Sequence, residues 1–277
     1  MGLRIATNVQ SLSAQRNLGI NSDMQKGSLE KLASGSRITR AADDAAGLAI
    51  SEKMRASIRS IGQDVRNAND GISMIQTAEG GMNEISNILV RFRELSIQAA
   101  SDTVTDIERG FMNKEVSQLH QEVNRIAAAT EFNGKKLLNG EGKAMDIQVG
   151  QNNIAEQDRF VFDLEKTNVT SNALGVSGIE VGTKEAAQGN LSKIDEALKG
   201  LSGNRAELGA LQNRLQSSIA SLQVYNENLS TARSRIKDVD MATETADLTK
   251  NNILTQANLS VLSQANQNST MALKLLG

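Results

Sequence analysis

Ile194, Leu201, Leu208, Leu215, Leu222, Leu229 and Ile236 recur every seven residues without a miss. Such a repeat keeps one apolar stripe facing a partner only if a long helix winds against other helices. The intervening positions are mixed: Leu198, Leu211 and Ile219 are apolar, whereas Arg205, Gln212, Asn226 and Arg233 are polar. A two-stranded zipper wants both positions apolar, so the pattern predicts a small bundle with one dry seam and one partly wet. Composition agrees. Proline is absent from the 277 residues, where average usage of about 5% would place roughly 14. Aromatic residues make up 2%, so burial must come from Leu, Ile, Val, Met and Ala between helices.

A second long helix is predicted from Asp43 to about Ala100. Met54, Ile58, Ile61, Val65, Ala68, Ile72 and Ile75 alternate steps of four and three. The rhythm resumes at Ala78, Met82, Ile85, Leu89, Phe92 and Leu95 after two successive three-residue steps. That slip predicts local overwinding and a bend beside Gly80-Gly81. At 1.5 Å per residue the helix reaches roughly 85 Å. A third helix, Asp106 to about Ala129, carries Phe111, Val116, Leu119, Val123 and Ile126.

The middle is different. Phe132-Asn133-Gly134 and Asn139-Gly140 are turn signals. MDIQV (145–149) and RFVFDL (159–164) alternate in character and predict the strands of a hairpin. Residues 165–190, rich in Gly, Ser, Thr and Asn, are expected to cross one end of a rod. The fold class is therefore mainly α: a long antiparallel bundle or coiled coil formed by both chain ends, with a β-hairpin region at about 131–190. The predicted division is a terminal coiled-coil domain of 1–42 with 237–277, and a rod domain of 43–236.

The two arms carry sparse apolar residues among Asn, Ser and Gln. The first has Leu3, Ile5, Val9, Leu12, Leu18, Met24, Leu29 and Leu32. The second has Leu248, Leu254, Ala257, Val261, Leu262, Ala265, Leu273 and Leu276. The first arm holds six Lys/Arg against two Asp/Glu (+4), the second three against four (−1). Neither stripe alone offsets the ordering entropy of a lone helix, so the arms are expected to order against partners.

Several chemistries are excluded or weakened. With no cysteine and one histidine, His120, a transition-metal site has no ligand set; His120 reads as a solvent-facing or inter-helix residue. Asp43-Asp44 could act as acid and base, but before DDAAGLAI the pair suits the opening of a helix. The glycines near 134–150 lack the GK[ST] of a phosphate loop. No nucleophile, base and oxyanion hole assemble, so no enzyme activity and no cofactor are expected. A net charge of −2 gives no reason to expect nucleic acid. No run of 18 apolar residues could form a transmembrane segment. The N-terminus MGLRIATNVQ has no signal-peptide core.

Four blocks carry a resemblance. LEKLASGSRITRAADDAAGLAISEKM (29–54), RNANDGISMIQTAEGGMNEI (66–85), RAELGALQNRL (205–215) and ENLSTARSRIKDVDMATETADLTKNNILTQA (227–257) resemble bacterial flagellin, in the same order. Only about 60 residues, roughly 131–190, separate the helical halves, so the chain resembles a short form without the large variable outer domains. Ser269 stands where the family usually has proline.

The resemblance implies a structural subunit that polymerises into the flagellar filament, the motor-driven propeller of swimming; the alternative is a hook–filament junction protein. Filament-core assembly falls to Leu3, Ile5, Val9, Leu12, Leu18, Leu29, Leu32, Leu254, Val261, Leu262, Leu273 and Leu276. The bundle seam falls to Ile58, Ile61, Val65, Ile72, Ile75, Leu201, Leu208, Leu215, Leu222, Leu229 and Ile236. Implied partners are further copies of the chain, the flagellar type III export apparatus with its chaperone, and the filament cap and hook-junction proteins. The implied location is secreted and extracellular, in a filament. Arg91, Leu95, Gln98 and Glu115 match a patch read by the innate immune receptor TLR5, with Val90 replacing a commoner Gln. Leu95 also continues the apolar seam.

Overall fold

A computed structural model describes residues 7–274, with helical side chains described through residue 267. Helices α1 (Val9–Ser34), α2 (Ala45–Ala99), α3 (Asp106–Ala129), α4 (Ala155–Asp158), α5 (Lys184–Lys237) and α6 (Met241–Lys274) dominate it. The strands are β1 (Glu131–Phe132), β2 (Lys135–Lys136), β3 (Met145–Gln148) and β4 (Arg159–Phe162). They form two separate antiparallel ribbons, β1-β2 and β3-β4. The mainly α class holds. The chain divides into two compact units. One gathers both chain ends, up to Ile58 and from Glu227; the other is Arg59–Asn226.

The core of the second unit lies along α2. Its buried positions run Ile61, Asp64, Ala68, Gly71, Ile75, Ala78, Met82, Ile85, Leu89 and Phe92. That is an unbroken alternation of three and four. The slip expected from apolar residues alone is absent, and α2 is one helix through Gly80-Gly81. Val65 and Ile72 are only half-buried flankers, because Asp64 and Gly71 hold the seam positions. Gly71 is there for contact: a Cβ on it would lie 2.8 Å from Ile147 Cδ1 of the β3-β4 ribbon. Gly81 likewise lets Thr130 and Leu138 approach, each with an atom 2.6 Å from where a Cβ would stand. The glycines that suggest a bend are seats for other segments.

On α5, Ile194, Leu201, Leu208 and Leu215 are buried, whereas Leu222, Leu229 and Ile236 are half-buried. Arg205, Gln212, Asn226 and Arg233 are half-buried, and Arg205 reaches Glu79 of α2 at 3.6 Å.

Helix α3 opens with a capping box, Thr105 and Glu108 each bonding the other's backbone. Its Arg109, 7% exposed, donates to the Ala99 and Ser101 carbonyls at the end of α2 and to Asp106. One buried guanidinium thus closes α2 and sets where α3 begins. In the β1-β2 turn Asn133 and Gly134 both have positive φ, 49° and 77°. That is the backbone a two-residue hairpin favours and Asn-Gly supplies. Strand β3 pairs with β4 from Met145↔Phe162 to Gln148↔Arg159, as the alternation predicts.

Residues 165–183 differ from expectation. They do not cross an end but run along α3. Val169 N–H donates to Leu138 O, Ser171 to Asn124, and Val181 to Asn113. Two asparagines on α3 supply acceptors that an irregular buried backbone needs. Val169, Val176 and Val181 are fully buried beneath it.

Candidate assembly surface

Helix α1 starts at Asn8, whose side chain accepts from Ser11 N–H. It ends at Gly35 in the left-handed region, φ 66°. Helix α6 starts at Asp240, whose carboxylate accepts from Ala242 N–H and the Thr243 hydroxyl. The Ala242 amide, the Thr243 amide and then the Thr243 hydroxyl hold the Asp240 carboxyl below its ordinary pKa. The two helices pack antiparallel, each the other's partner.

The packed face mixes small and polar side chains with a few leucines: Leu18 and Leu32 of α1 and Leu248 and Leu262 of α6 are half-buried at the same three-and-four spacing. Ser11, Ala14 and Ser28 are buried from α1, Asn251 and Ala265 from α6. Asn8 Nδ2 donates to Ala265 O at 3.0 Å, Ser11 Oγ to Asn266 Oδ1 at 3.0 Å, and Gln25 Nε2 to Asn252 Oδ1 at 2.5 Å. Lys31 lies 3.9 Å from Glu244. An open groove of about 370 Å³ along the pair is lined by Gln10, Ser13, Asn17, Asn258 and Gln264 among others.

Many other large apolar side chains of the arms are exposed. Val9, Leu12, Ile20 and Met24 are 63%, 58%, 47% and 54% exposed; the first three lie on the side of α1 away from α6 and Met24 flanks the seam. Leu29, Ile253, Leu254, Leu259 and Val261 are exposed too, whereas Leu18, Leu32 and Leu262 are half-buried. The hydrophobic pattern is therefore inside out, a signature of a surface that something covers. Leu3, Ile5, Leu273 and Leu276 fall outside the described residues or side chains. The polar seam was not anticipated. Its sequence signal is the Ser/Ala/Gln/Ser spacing at 11, 14, 25 and 28.

Below the arms, residues 35–44 link α1 to α2, and 238–240 link α5 to α6. Arg37 N–H donates to Lys237 O at 2.7 Å and Val239 N–H to Gly35 O at 3.1 Å. Ser36 and Asp238 stand opposite each other as an antiparallel bridge. Arg37 also donates to Ile236 O from Nε and Nη2, at 3.2 and 2.8 Å.

The Asp43-Asp44 pair is structural. Asp44 accepts from Gly47 N–H and opens α2. Asp43 accepts from the Arg40 amide and the Thr39 hydroxyl and amide, which hold its carboxyl below the usual range. His120 is half-buried in another part of the chain. Arg91 donates to Glu115 at 2.8 Å and to Glu94 at 2.9 Å, and Gln98 is exposed. Leu95, 1% exposed, belongs to the core. Among the described residues no helix is long and apolar enough to cross a membrane, and no three His, Cys, Asp or Glu side chains gather as a metal site.

A helical chain whose ends pair through polar contacts and turn their apolar residues outward is a self-associating structural subunit. Residues 5–143 match the profile of the bacterial flagellin N-terminal helical region, and 191–276 that of the C-terminal helical region. The chain belongs to the bacterial flagellin family. It is 44% identical to a flagellin of Halalkalibacterium halodurans over 269 residues, covering 97% of this chain and 98% of that protein. It is 41% identical to a Bacillus subtilis flagellin, covering 99% and 100%. A crystal structure of Bacillus cereus flagellin superposes with a TM-score of 0.51 at 28% identity, over 57% of this chain and 88% of that one. Only residues 144–190 lie between the matched regions, and the ribbon and the α3-bound segment occupy them. No large outer domain fits there. These matches give the hook–filament junction reading no support.

Proposed function

We propose that this chain polymerises into the flagellar filament through the outward apolar side chains of its paired arms. Val9, Leu12, Leu29, Leu254 and Val261 supply the exposed part of that surface, while the half-buried Leu18, Leu32 and Leu262 hold the two arms as a pair. Leu3, Ile5, Leu273 and Leu276 share the assembly role. The observation that carries the reading is the inversion: the arms bury Ser, Ala and Asn against each other and leave Val, Leu and Ile to solvent. A contact that repeats head to tail without closing builds an open filament. The functional division is 1–42 with 237–277 for assembly and 43–236 for the rod, supported by the helix breaks at 35–44 and 238–240. Ile58, Ile61, Val65, Ile72, Ile75, Leu201, Leu208, Leu215, Leu222, Leu229 and Ile236 hold the rod's bundle.

The finer partners follow from the family. The chain leaves the cell through the flagellar export apparatus, with a chaperone on its C-terminal arm, and meets the cap and hook-junction proteins outside. It catalyses no reaction. Receptor recognition at Arg91, Leu95, Gln98 and Glu115 is supported by the exposure of Arg91, Gln98 and Glu115 and by the Arg91–Glu115 ion pair, with Leu95 buried in the core. The test is deletion of residues 1–20. Circular dichroism should retain the rod's helical signal while filaments are lost from electron micrographs. Normal filaments from the truncated chain would overturn the role given to the arms.

A further inference from the structure

We propose that Asn133 is a site of spontaneous covalent modification, at which its side-chain amide is lost as ammonia and the turn is rebuilt around aspartate or isoaspartate. The proposal is independent of the filament reading.

Two Asn-Gly pairs follow α3, Asn133-Gly134 and Asn139-Gly140. Such a pair is chemically distinctive because glycine, without a side chain, leaves its own backbone nitrogen open to close approach. That nitrogen gives up its proton and attacks Cγ of the asparagine before it. The bond that forms is Cγ–N, the bond that breaks is Cγ–Nδ2, and the proton leaves with the ammonia. Water then opens the cyclic succinimide at either carbonyl, giving aspartate or, with the backbone rerouted through the side chain, isoaspartate. Water is the only co-reactant.

The structure separates the two pairs. Asn139 is half-buried and both ends of its amide are held: Nδ2 donates to Glu141 at 2.8 Å, and Oδ1 accepts from Glu141 N–H at 3.0 Å. Gly140 is covered by Asn168, whose side chain fills the place a Cβ would take. Turning the Asn139 amide onto Gly140 N would break both bonds. Asn133 and Gly134 are both exposed, and nothing lies within 4 Å of where a Cβ on Gly134 would stand. Among the described residues no hydrogen bond holds the Asn133 amide. The β1-β2 ribbon that shapes its turn has only the pairs Glu131↔Lys136 and Phe132↔Lys135, and so short a ribbon opens readily. Either product puts a carboxylate beside Lys135 and Lys136. Isoaspartate also lengthens the backbone of a two-residue turn, which breaks the register that such a turn sets. Leu137 and Leu138, fully buried directly after the ribbon, carry that change to the core.

The test incubates the full-length chain at mildly alkaline pH, folded and in urea, and digests samples with trypsin. Cleavage at Arg125, at Lys135-Lys136 and at Lys143 puts the two asparagines in separate peptides. Mass spectrometry reads amide loss in each, and isoaspartate appears as a second chromatographic peak of the same mass as the aspartate product. The ratio of the Asn133 rate to the Asn139 rate should be about tenfold higher in the folded chain than in urea. That factor corresponds to about 1.4 kcal/mol of hydrogen bonding on the Asn139 amide. A ratio unchanged by folding, or conversion of Asn133 seen only in urea, would overturn the proposal.

Discussion

The seat of Ile147 on Gly71 can be tested with two small substitutions whose effects should not add. Gly71→Ala places a methyl 2.8 Å from Ile147 Cδ1 and 3.2 Å from its Cγ2. Overpacking of this kind costs about 1–3 kcal/mol, and the better helix propensity of Ala returns about 0.5–1 kcal/mol. The net loss should be about 0.5–2 kcal/mol. Ile147→Val removes the Cδ1 atom in the way and costs about 0.5–1.5 kcal/mol alone. In the double variant the closest obstacle is gone and the helix gain remains, so the total loss should be about 0–1 kcal/mol. Far-UV circular dichroism during urea unfolding reads all four proteins. A double-variant loss within about 0.5 kcal/mol of the sum of the singles would refute the contact, and with it the account of why glycine occupies a seam position.

Two further outcomes follow from buried polar groups. Arg109→Ala orphans the Ala99 and Ser101 carbonyls and should cost about 2–4 kcal/mol. Asp106→Ala, removing its exposed ion-pair partner, should cost less than about 1 kcal/mol; equal urea midpoints for the two variants would defeat the clamp. Asp64 is 5% exposed, with Oδ2 unpartnered, and burial and then the Asp158 charge push its carboxyl above the ordinary value. The folded state therefore holds the Asp64 proton more tightly than the unfolded chain does. Asp64 should destabilise progressively as pH rises from the ordinary carboxylate value, about 3.9, through the raised one. The group faces Asp158, with Asp146 and Arg159 on the same ribbon, while α5 carries no charged side chain from Leu215 to Asn226. The stability of Asp64→Asn relative to wild type should grow across that window, measured by urea unfolding at several pH values. A constant difference would remove Asp64 as the source.

Long helices were legible because large apolar residues recur at helical spacing, and α2, α3 and α5 stand where that spacing puts them. The exact register of α2 was not. An apolar count skips Asp64 and Gly71, which occupy seam positions because the β3-β4 ribbon lies over them. The path of residues 165–183 was hidden for a similar reason, being set by single acceptors on Asn113 and Asn124 that have no periodicity. In the arms the sequence showed which residues are apolar, but not that Ser11, Ala14 and Ser28 would take the inner face. Arg37 and Arg109, which tie separate helices together, read in sequence as two charges among many.

A seam of small polar side chains has a strength that depends on its surroundings. In water each hydrogen bond between α1 and α6 competes with solvent and nets only about 0.5–1.5 kcal/mol. Where neighbouring copies exclude water, the same bonds strengthen and an unmade one becomes costly. Covering the outer face therefore tightens the inner one, although no new contact forms there. On the proposed assembly through the arms, the first copies to meet would gain little, and each later one would dock onto arms already dried and stiffened. Growth from an existing end is then favoured over starting a new filament in solution.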